Sequence, residues 1–269
     1  MTLANVNANL FGKLFTQSVD GAVVGQPLYL SGLKFSNGTT HNVVYVATQH
    51  DSVFAFDADT LQTPLWTRSF INPTAGITSV PIGDFGCPGI GFTEIGVMST
   101  PVIDPSAGAI YVIAKTLENG AYFFRLHALS LTTGADIVSP AAISATATTG
   151  KGPLQFDPSI EMQRPALLLV NGTIYIGFGS NGCDTYAFHG WLLAYEQSTL
   201  QPAGTFLTTP NGTNGAIWQA GGGPAADSVG TIFLATGNGT FDASTGGSDY
   251  GDSLLHLAPA SGGLSVLDY

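Results

Sequence analysis

Basic residues are scarce in this chain of 269 residues: seven Lys and Arg stand against 18 Asp and Glu, for a formal net charge of -11. That balance argues against nucleic acid or an anionic membrane surface as partner, because both reward clustered cations. Charged residues of both signs make up only 9%, while 44% are hydrophobic, too apolar for a disordered chain. No run approaches the roughly 18 apolar residues of a membrane-crossing helix, so no membrane insertion is expected. The opening MTLANVNANLFG has neither the basic nor the apolar region of a secretory leader. Two cysteines, Cys87 and Cys183, cannot supply a four-thiolate zinc site. Both sit in Gly-rich loop sequence and are compatible with a disulfide or with two thiols. A G-x-S-x-G elbow, H-E-x-x-H, a P-loop and C-x-x-C are all missing. Ser180 in GFGSNG lies between small residues but in the wrong frame for the elbow, which leaves a hydrolase as the weakest reading.

Glycine and proline, by contrast, are abundant (35 and 15), and the apolar periodicity is two rather than 3.6. The stretch VVYVATQHDSVFAFDADT (43–60) reads as a hairpin, and it recurs. VVYVAT (43–48) is echoed by AIYVIA (109–114), TIYIGF (173–178) and TIFLAT (231–236), with the aromatic at Tyr45, Tyr111, Tyr175 and Phe233. Each copy is preceded by a run with a proline (Pro27, Pro101, Pro165, Pro224) and followed by two further strand-like runs. Four four-stranded units in one order predict the blades of a β-propeller, an all-β fold. The expected layout is a single domain over 1–269, with blades at 22–70, 97–146, 160–208 and 219–269. Residues 1–20 are expected to hold a spare strand that closes a ring.

The segments NVVYVATQHDSVFAFDADT, EIGVMSTPVID, YFFRLHALSLTTGA and GGGPAADSVGTIFLATGNGTFD resemble the bacterial quinoprotein-like (PQQ-repeat) β-propeller proteins over nearly the whole chain. That family includes eight-bladed alcohol dehydrogenases that bind pyrroloquinoline quinone and calcium. The resemblance therefore implies half of an eight-bladed ring, completed by a homodimer, and an exported or periplasmic location. It makes PQQ with calcium the cofactors to test. The family's tryptophan-docking pattern, A-x-D-x-x-x-G-x-x-x-W, is approached only by AFDADTLQTPLW, with Leu61 at the glycine position and Trp66 one place late.

Function in propellers gathers on loops at one face. Two connections, 71–96 and 139–163, are far longer than ordinary turns. With the hairpin breaks they offer His50, Asp51, Glu94, Lys115, Arg164, Asn181 and Asn238 as candidate ligand-binding groups. His50 beside Asp51 offers acid–base chemistry. Neighbours in an extended chain point opposite ways, however, so a turn is the plainer reading. Arg164 can anchor an anion bidentately or form a structural pair with Glu161 or Glu94. In GNGTFDASTGGSDYGDS, Asp242, Asp249 and Asp252 can offer oxygens to calcium, although Asn-Gly and Gly-Gly are also ordinary turn residues. His127, His189 and His256 fall in strands and read as packed residues. The leading expectation is a binding scaffold for a polar small molecule, a glycan or a protein. A PQQ- and calcium-dependent oxidoreductase is the alternative.

Overall fold

The computed structural model describes residues 2, 6–7, 12–85, 91, 93–181 and 187–269. Among these residues the only helical pieces are three short 3-10 turns; the rest is strand and connection. The first sheet holds β1 (Leu28–Lys34), β2 (Thr40–Thr48), β3 (Ser52–Asp57) and β4 (Trp66–Ser69), antiparallel and in chain order. Tight polar turns at Asn37-Gly38 and His50-Asp51 set this meander, and Asp51 takes the left-handed conformation (φ 53) that its turn demands.

The second blade is built on the long hairpin β8 (Ala109–Glu118) and β9 (Ala121–Ser130). Its inner edge is shared: β7 (Val102–Asp104) pairs one end of β8, and β5 (Ile77–Pro81), extended by β6 (Glu94–Ile95), pairs the other. The connection 71–96 is thus partly a strand of the blade. The outer run ADIVSPA contributes only a bridge from Asp136 to Leu129 and the two-residue β10 (Ala141–Ala142). The second long connection contains a small hairpin of β11 (Thr146–Thr149) and β12 (Gly152–Gln155).

The third blade repeats this device. Here β13 (Glu161–Met162) and β14 (Leu168–Val170) pair the two ends of β15 (Thr173–Ser180), followed by β16 (Trp191–Glu196) and β17 (Pro202–Leu207). The fourth runs β18 (Ala225–Ala226), β19 (Ile232–Ala235), β20 (Leu254–Ala260) and β21 (Gly263–Asp268). The protein is a β-propeller of four blades.

Three apolar interfaces join the blades, and strand alternation feeds them. On β8, Ile110, Val112 and Ala114 pack against Val43, Tyr45, Val53 and Ala55 of the first blade. Tyr111 and Ile113 point the other way, toward Ile174, Ile176 and Trp191 of the third. On β15 and β16, Tyr175, Leu192 and Ala194 turn to Ile232, Leu234 and Leu255 of the fourth. A strand buried on both faces reads as a continuous apolar run, which is why AIYVIA lacks a polar partner in its alternation.

Trp66 docks the first blade on the second. Its indole N–H donates to the Leu131 carbonyl at 2.9 Å, and Tyr45 donates its hydroxyl to the same oxygen at 2.9 Å. The ring lies on Gly134, where a β-carbon would come within 2.5 Å of Trp66. The displaced position of Trp66 in the sequence pattern does not prevent docking.

Residues 12–20 carry no ladder among the described residues. Phe15, Val19 and Val23 instead lie over the outward face of the first blade, lining a cavity of about 400 Å3 with Val44, Val46 and Phe56. Asp20 fixes the segment by accepting hydrogen bonds from the hydroxyls of Thr48 (2.8 Å) and Ser52 (2.6 Å). The segment is used as an apolar cover anchored at one carboxylate rather than as a strand.

Gly134→Ala tests the docking. Gly134 sits at φ 69, so alanine adds left-handed strain to a collision with the indole. The variant is expected to lose about 2–5 kcal/mol in urea unfolding, from roughly 1–2 for the conformation and 1–3 for overpacking. An unchanged midpoint would mean that Trp66 does not seat there.

Candidate functional site

The inner ends of the blades meet along one line of contacts. Gly25 lies against Ser99, the backbone N–H of Gln26 donates to the Thr100 hydroxyl (2.8 Å), and that of Leu167 to the Thr100 carbonyl (3.1 Å). Ala166 donates to the Gly222 carbonyl (2.7 Å), and Pro165 bridges to Ala220. This line is the inner wall, and Arg164 reaches it through the Met98 carbonyl, next to Ser99.

His50 follows β2, and its partner is not Asp51. Its Nδ1 lies 3.0 Å from both oxygens of Glu94 on β6, and the Ser79 hydroxyl donates to the same carboxylate. Glu94 therefore holds a histidine and a serine rather than the serine–histidine order of a hydrolytic triad. Asp51, one residue on, points inward. It is fully buried, accepts the Lys115 backbone N–H through Oδ1 (3.3 Å), and leaves Oδ2 without a partner.

Lys115 corrects the loop assignment. β8 runs on to Glu118, so Lys115 is a strand residue and is wholly buried. Its Nζ donates to the Glu161 carbonyl (2.8 Å) and lies 4.5 Å and 4.7 Å from the ring centres of Phe85 and Phe124. Burial drives the amine down to about 7, against the pull of Glu161, Asp157 and Asp51. Burial likewise pushes Asp51 and Glu161 well above the carboxylate range. All three groups are thus driven toward their neutral forms.

Arg164 is half-buried and reaches only the Met98 carbonyl, at 3.5 Å. It forms no ion pair among the described residues, so neither Glu161 nor Glu94 is its partner. Asn181 donates its amide N–H to the Ser159 carbonyl (3.2 Å) and leaves Oδ1 buried and unpartnered. Asn238 lies in the fourth blade, where its carbonyl accepts from Gly215 (2.9 Å), and no contact joins it to this cluster.

The acidic loop of the fourth blade closes on itself. Asp242 Oδ1 accepts the Asp249 N–H (2.8 Å) and Asp249 Oδ1 accepts the Asn211 N–H (2.8 Å). Asp252 is exposed, at φ 49, with its own N–H donated to Gly237. Asp242 and Asp249 spend oxygens on backbone donors, as turn aspartates do. Among the described residues, no group of three His, Cys, Asp or Glu is placed to hold a metal ion. Cys87, Cys183 and Asp184 lie outside the described residues.

Four residues missed from the sequence complete the wall. Ser99, Gln163 and Gln219 each bury a side-chain oxygen without a partner, as Asp51, Glu161 and Asn181 do, and Ser79 binds Glu94. Ser99 and Gln163 each stand two places before a strand-leading proline, Pro101 and Pro165, and this shared offset was the available signal. The amide nitrogens of Gln163 and Gln219 donate to carbonyls of Pro165 and Gly223, which leaves their oxygens buried without a partner. The amide oxygens of Gln163, Asn181 and Gln219 can only accept, whereas the Ser99 hydroxyl and the neutral carboxyls of Asp51 and Glu161 can also donate.

No protein-family model and no curated protein sequence matches the chain. Solved structures do resemble it, two of them alcohol dehydrogenases. A quinohemoprotein alcohol dehydrogenase from Comamonas testosteroni aligns with a TM-score of 0.56 at 18% identity, over 91% of this chain and 34% of the other. The quinohemoprotein alcohol dehydrogenase ADHIIG from Pseudomonas putida HK5 aligns with a TM-score of 0.55 at 19% identity, over 83% of this chain and 30% of the other. The chain spans about a third of the length of each, and the likeness is one of fold.

The family resemblance implies a quinone and calcium. Pyrroloquinoline quinone is a polycarboxylate and calls for fixed positive charge, whereas burial drives the Lys115 amine toward its neutral form and leaves Arg164 as the permanent cation of this wall among the described residues. With no metal-binding cluster beside them, the described residues do not fit that pair.

Lys115→Met tests the buried amine. Its folded value of about 7 lies below its ordinary 10.5, so between these limits the unfolded chain holds the extra proton. Stability contributed by this site therefore rises with pH from about 7 to 10 and is lost as pH falls. The variant should lack that rise and gain on the wild type by a few kcal/mol at pH 6, as urea unfolding at pH 6, 8 and 10 will read. Parallel curves for the two proteins would reject a desolvated amine.

Proposed function

We propose that the chain is a quinoprotein-like propeller that acts as a binding scaffold for a hydroxyl-rich small ligand, a sugar or polyol, at the inner wall. The observation that carries this reading is the set of buried, unpartnered oxygens on Asp51, Ser99, Glu161, Gln163, Asn181 and Gln219. A buried polar atom left unpaired costs about 1–3 kcal/mol, so a group of them calls for an occupant that can both donate and accept hydrogen bonds. A polyol brings several donors without net charge, which suits a wall where burial already suppresses ionisation. Calorimetry and thermal melting with monosaccharides, polyols and calcium chloride test it. A sugar or polyol should raise the melting temperature, and Gln163→Ala or Asn181→Ala should weaken it by about tenfold each, near 1.4 kcal/mol. A response to calcium alone, or to none of the panel, would overturn the reading.

The second reading is a PQQ- and calcium-dependent oxidoreductase, favoured by the fold shared with the two alcohol dehydrogenases. Quinone and calcium added with a dye acceptor separate the two: dye reduction supports catalysis, and its absence supports the scaffold. No helix among the described residues is long and apolar enough to cross a membrane. The expectation of an exported or periplasmic location rests on the family resemblance alone.

We also propose that two copies close one eight-bladed ring. The repeated aromatic plugs into the following blade at Tyr45, Tyr111 and Tyr175, each under 5% exposed, but Phe233 in the fourth blade is 36% exposed. Leu254, 68% exposed, and His256, stacked on Phe233 at 4.3 Å, share that face. On the first blade the corresponding face, Val44, Val46 and Phe56, lies under Phe15 and Val19, so in this pairing the covering segment meets the partner's fourth blade. Native mass spectrometry should give twice the chain mass, and Phe233→Lys should return it to the mass of one chain. A wild-type monomer at micromolar concentration would reject the pairing.

A further inference from the structure

A second cavity, polar and of about 350 Å3, lies between the outer strand of the first blade and the hairpin of the second. Arg68, Phe70 and Ile71 form one side; Ala114, Thr116, Glu118, Arg125 and His127 form the other. Two of the protein's seven basic residues are therefore spent here. Strand register explains the gathering: His127 sits opposite Val112 and Arg125 opposite Ala114, so both side chains share the face turned to the first blade.

The charges are arranged in two pairs. Arg125 makes a bidentate pair with Glu118 (Nε to Oε1 2.7 Å, Nη2 to Oε2 2.6 Å), and the Thr116 hydroxyl donates to Oε1 (2.8 Å). Asp136 accepts from Arg68 Nη2 (2.6 Å) and from His127 Nδ1 (2.9 Å). Two atoms are left over. Arg68 Nε and His127 Nε2 are both buried without a partner, and the His127 side chain is only 6% exposed.

Asp136 fixes the imidazole tautomer. Nδ1–H points at the carboxylate, so Nε2 of the neutral ring carries a lone pair. Burial lowers the His127 pKa, and the positive charges of Arg68 and Arg125 add to this, against the pull of Asp136; Glu118 is the remaining charge nearby. The ring is thus neutral at pH 7. Arg68 and His127 share Asp136 and both line the cavity, so neighbouring residues leave over one obligate donor, Arg68 N–H, and one base. That is the complement of a carboxylic acid group, whose carbonyl oxygen accepts from Arg68 while its proton lies on His127.

We infer that this cavity is a site for a small monocarboxylate, which binds with the uptake of one proton shared with His127. Charge accounting selects a monoanion. The two arginines are already balanced by Glu118 and Asp136, so one added proton compensates one negative charge, and a dianion would leave a buried charge unpaired. Phe70, Ile71, Ile77 and Ala114 supply apolar wall for the body of the acid, and the Phe70 ring lies 4.2 Å from the imidazole.

Benzoate is the probe, with benzamide as the uncharged control of the same shape. Calorimetry in two buffers of different ionisation enthalpy should show about one proton taken up per benzoate bound near pH 7.5. Affinity should fall about tenfold for each pH unit above that, by linkage. Benzamide should bind weakly and without this dependence. His127→Gln should weaken benzoate by tenfold or more and abolish the proton uptake. If that variant unfolds, the wild type still decides, because the His127 ring resonances must shift toward the imidazolium form as benzoate is added. Absence of benzoate binding at tens of millimolar, binding without proton uptake, or equal affinity for benzamide would each overturn the inference.

Discussion

The burial of both faces of each middle strand is the constraint on which this structure rests. No blade can cover itself, so neighbouring residues of one strand must serve two different interfaces. Tyr111 and Ile113 belong to the contact with the third blade, while Ile110 and Val112 belong to the contact with the first. A slip of one residue would exchange these sets and lose both interfaces together, so register is strongly specified. Trp66 adds a directional contact to this packing, because an indole that fills its seat on Gly134 also brings its N–H to Leu131.

The same packing creates the polar chemistry. Where blades converge, the strand ends carry Asp51, Lys115 and Glu161 out of water. There the cost of charge is set by burial rather than by the overall acidity of the chain. Between the first two blades, by contrast, Arg68 and Arg125 meet carboxylates at full hydrogen-bonding distance and remain charged. One region is left with unpartnered oxygens, the other with an unpartnered guanidinium nitrogen and an unpartnered imidazole nitrogen. Two different polar environments thus follow from one architecture.

Relatedness to alcohol dehydrogenases of about three times the length bears on fold, not on reaction. The long connections illustrate the difference. The segment 71–96 does not simply form a lid: β5 and β6 complete the inner edge of the second blade and deliver Ser79 and Glu94 to His50. A loop that has become a strand positions side chains on a rigid element, which a sequence of irregular composition did not announce.

The four-fold recurrence of a strand pattern with one aromatic, one leading proline and polar turns was enough to determine the propeller, because alternation and turn chemistry are local properties. Tyr45, Tyr111 and Tyr175 could be placed in equivalent seats from spacing alone. The site was legible only as a set of polar residues near strand ends. Lys115 was misread because a lysine in a strand is normally at the surface, and only the neighbouring blade, with Phe85 and Phe124, makes its position interior. The turn at His50 and Asp51 was legible, but the histidine's carboxylate partner, Glu94, stands 44 residues away on another strand. His127 read as a packed residue because nothing in RLHALSL reveals Arg68 or the empty volume beside it. Pairing across blades depends on which faces meet, and that is decided by tertiary packing, where contacts far apart in the chain set burial, charge state and the direction of every unpartnered atom.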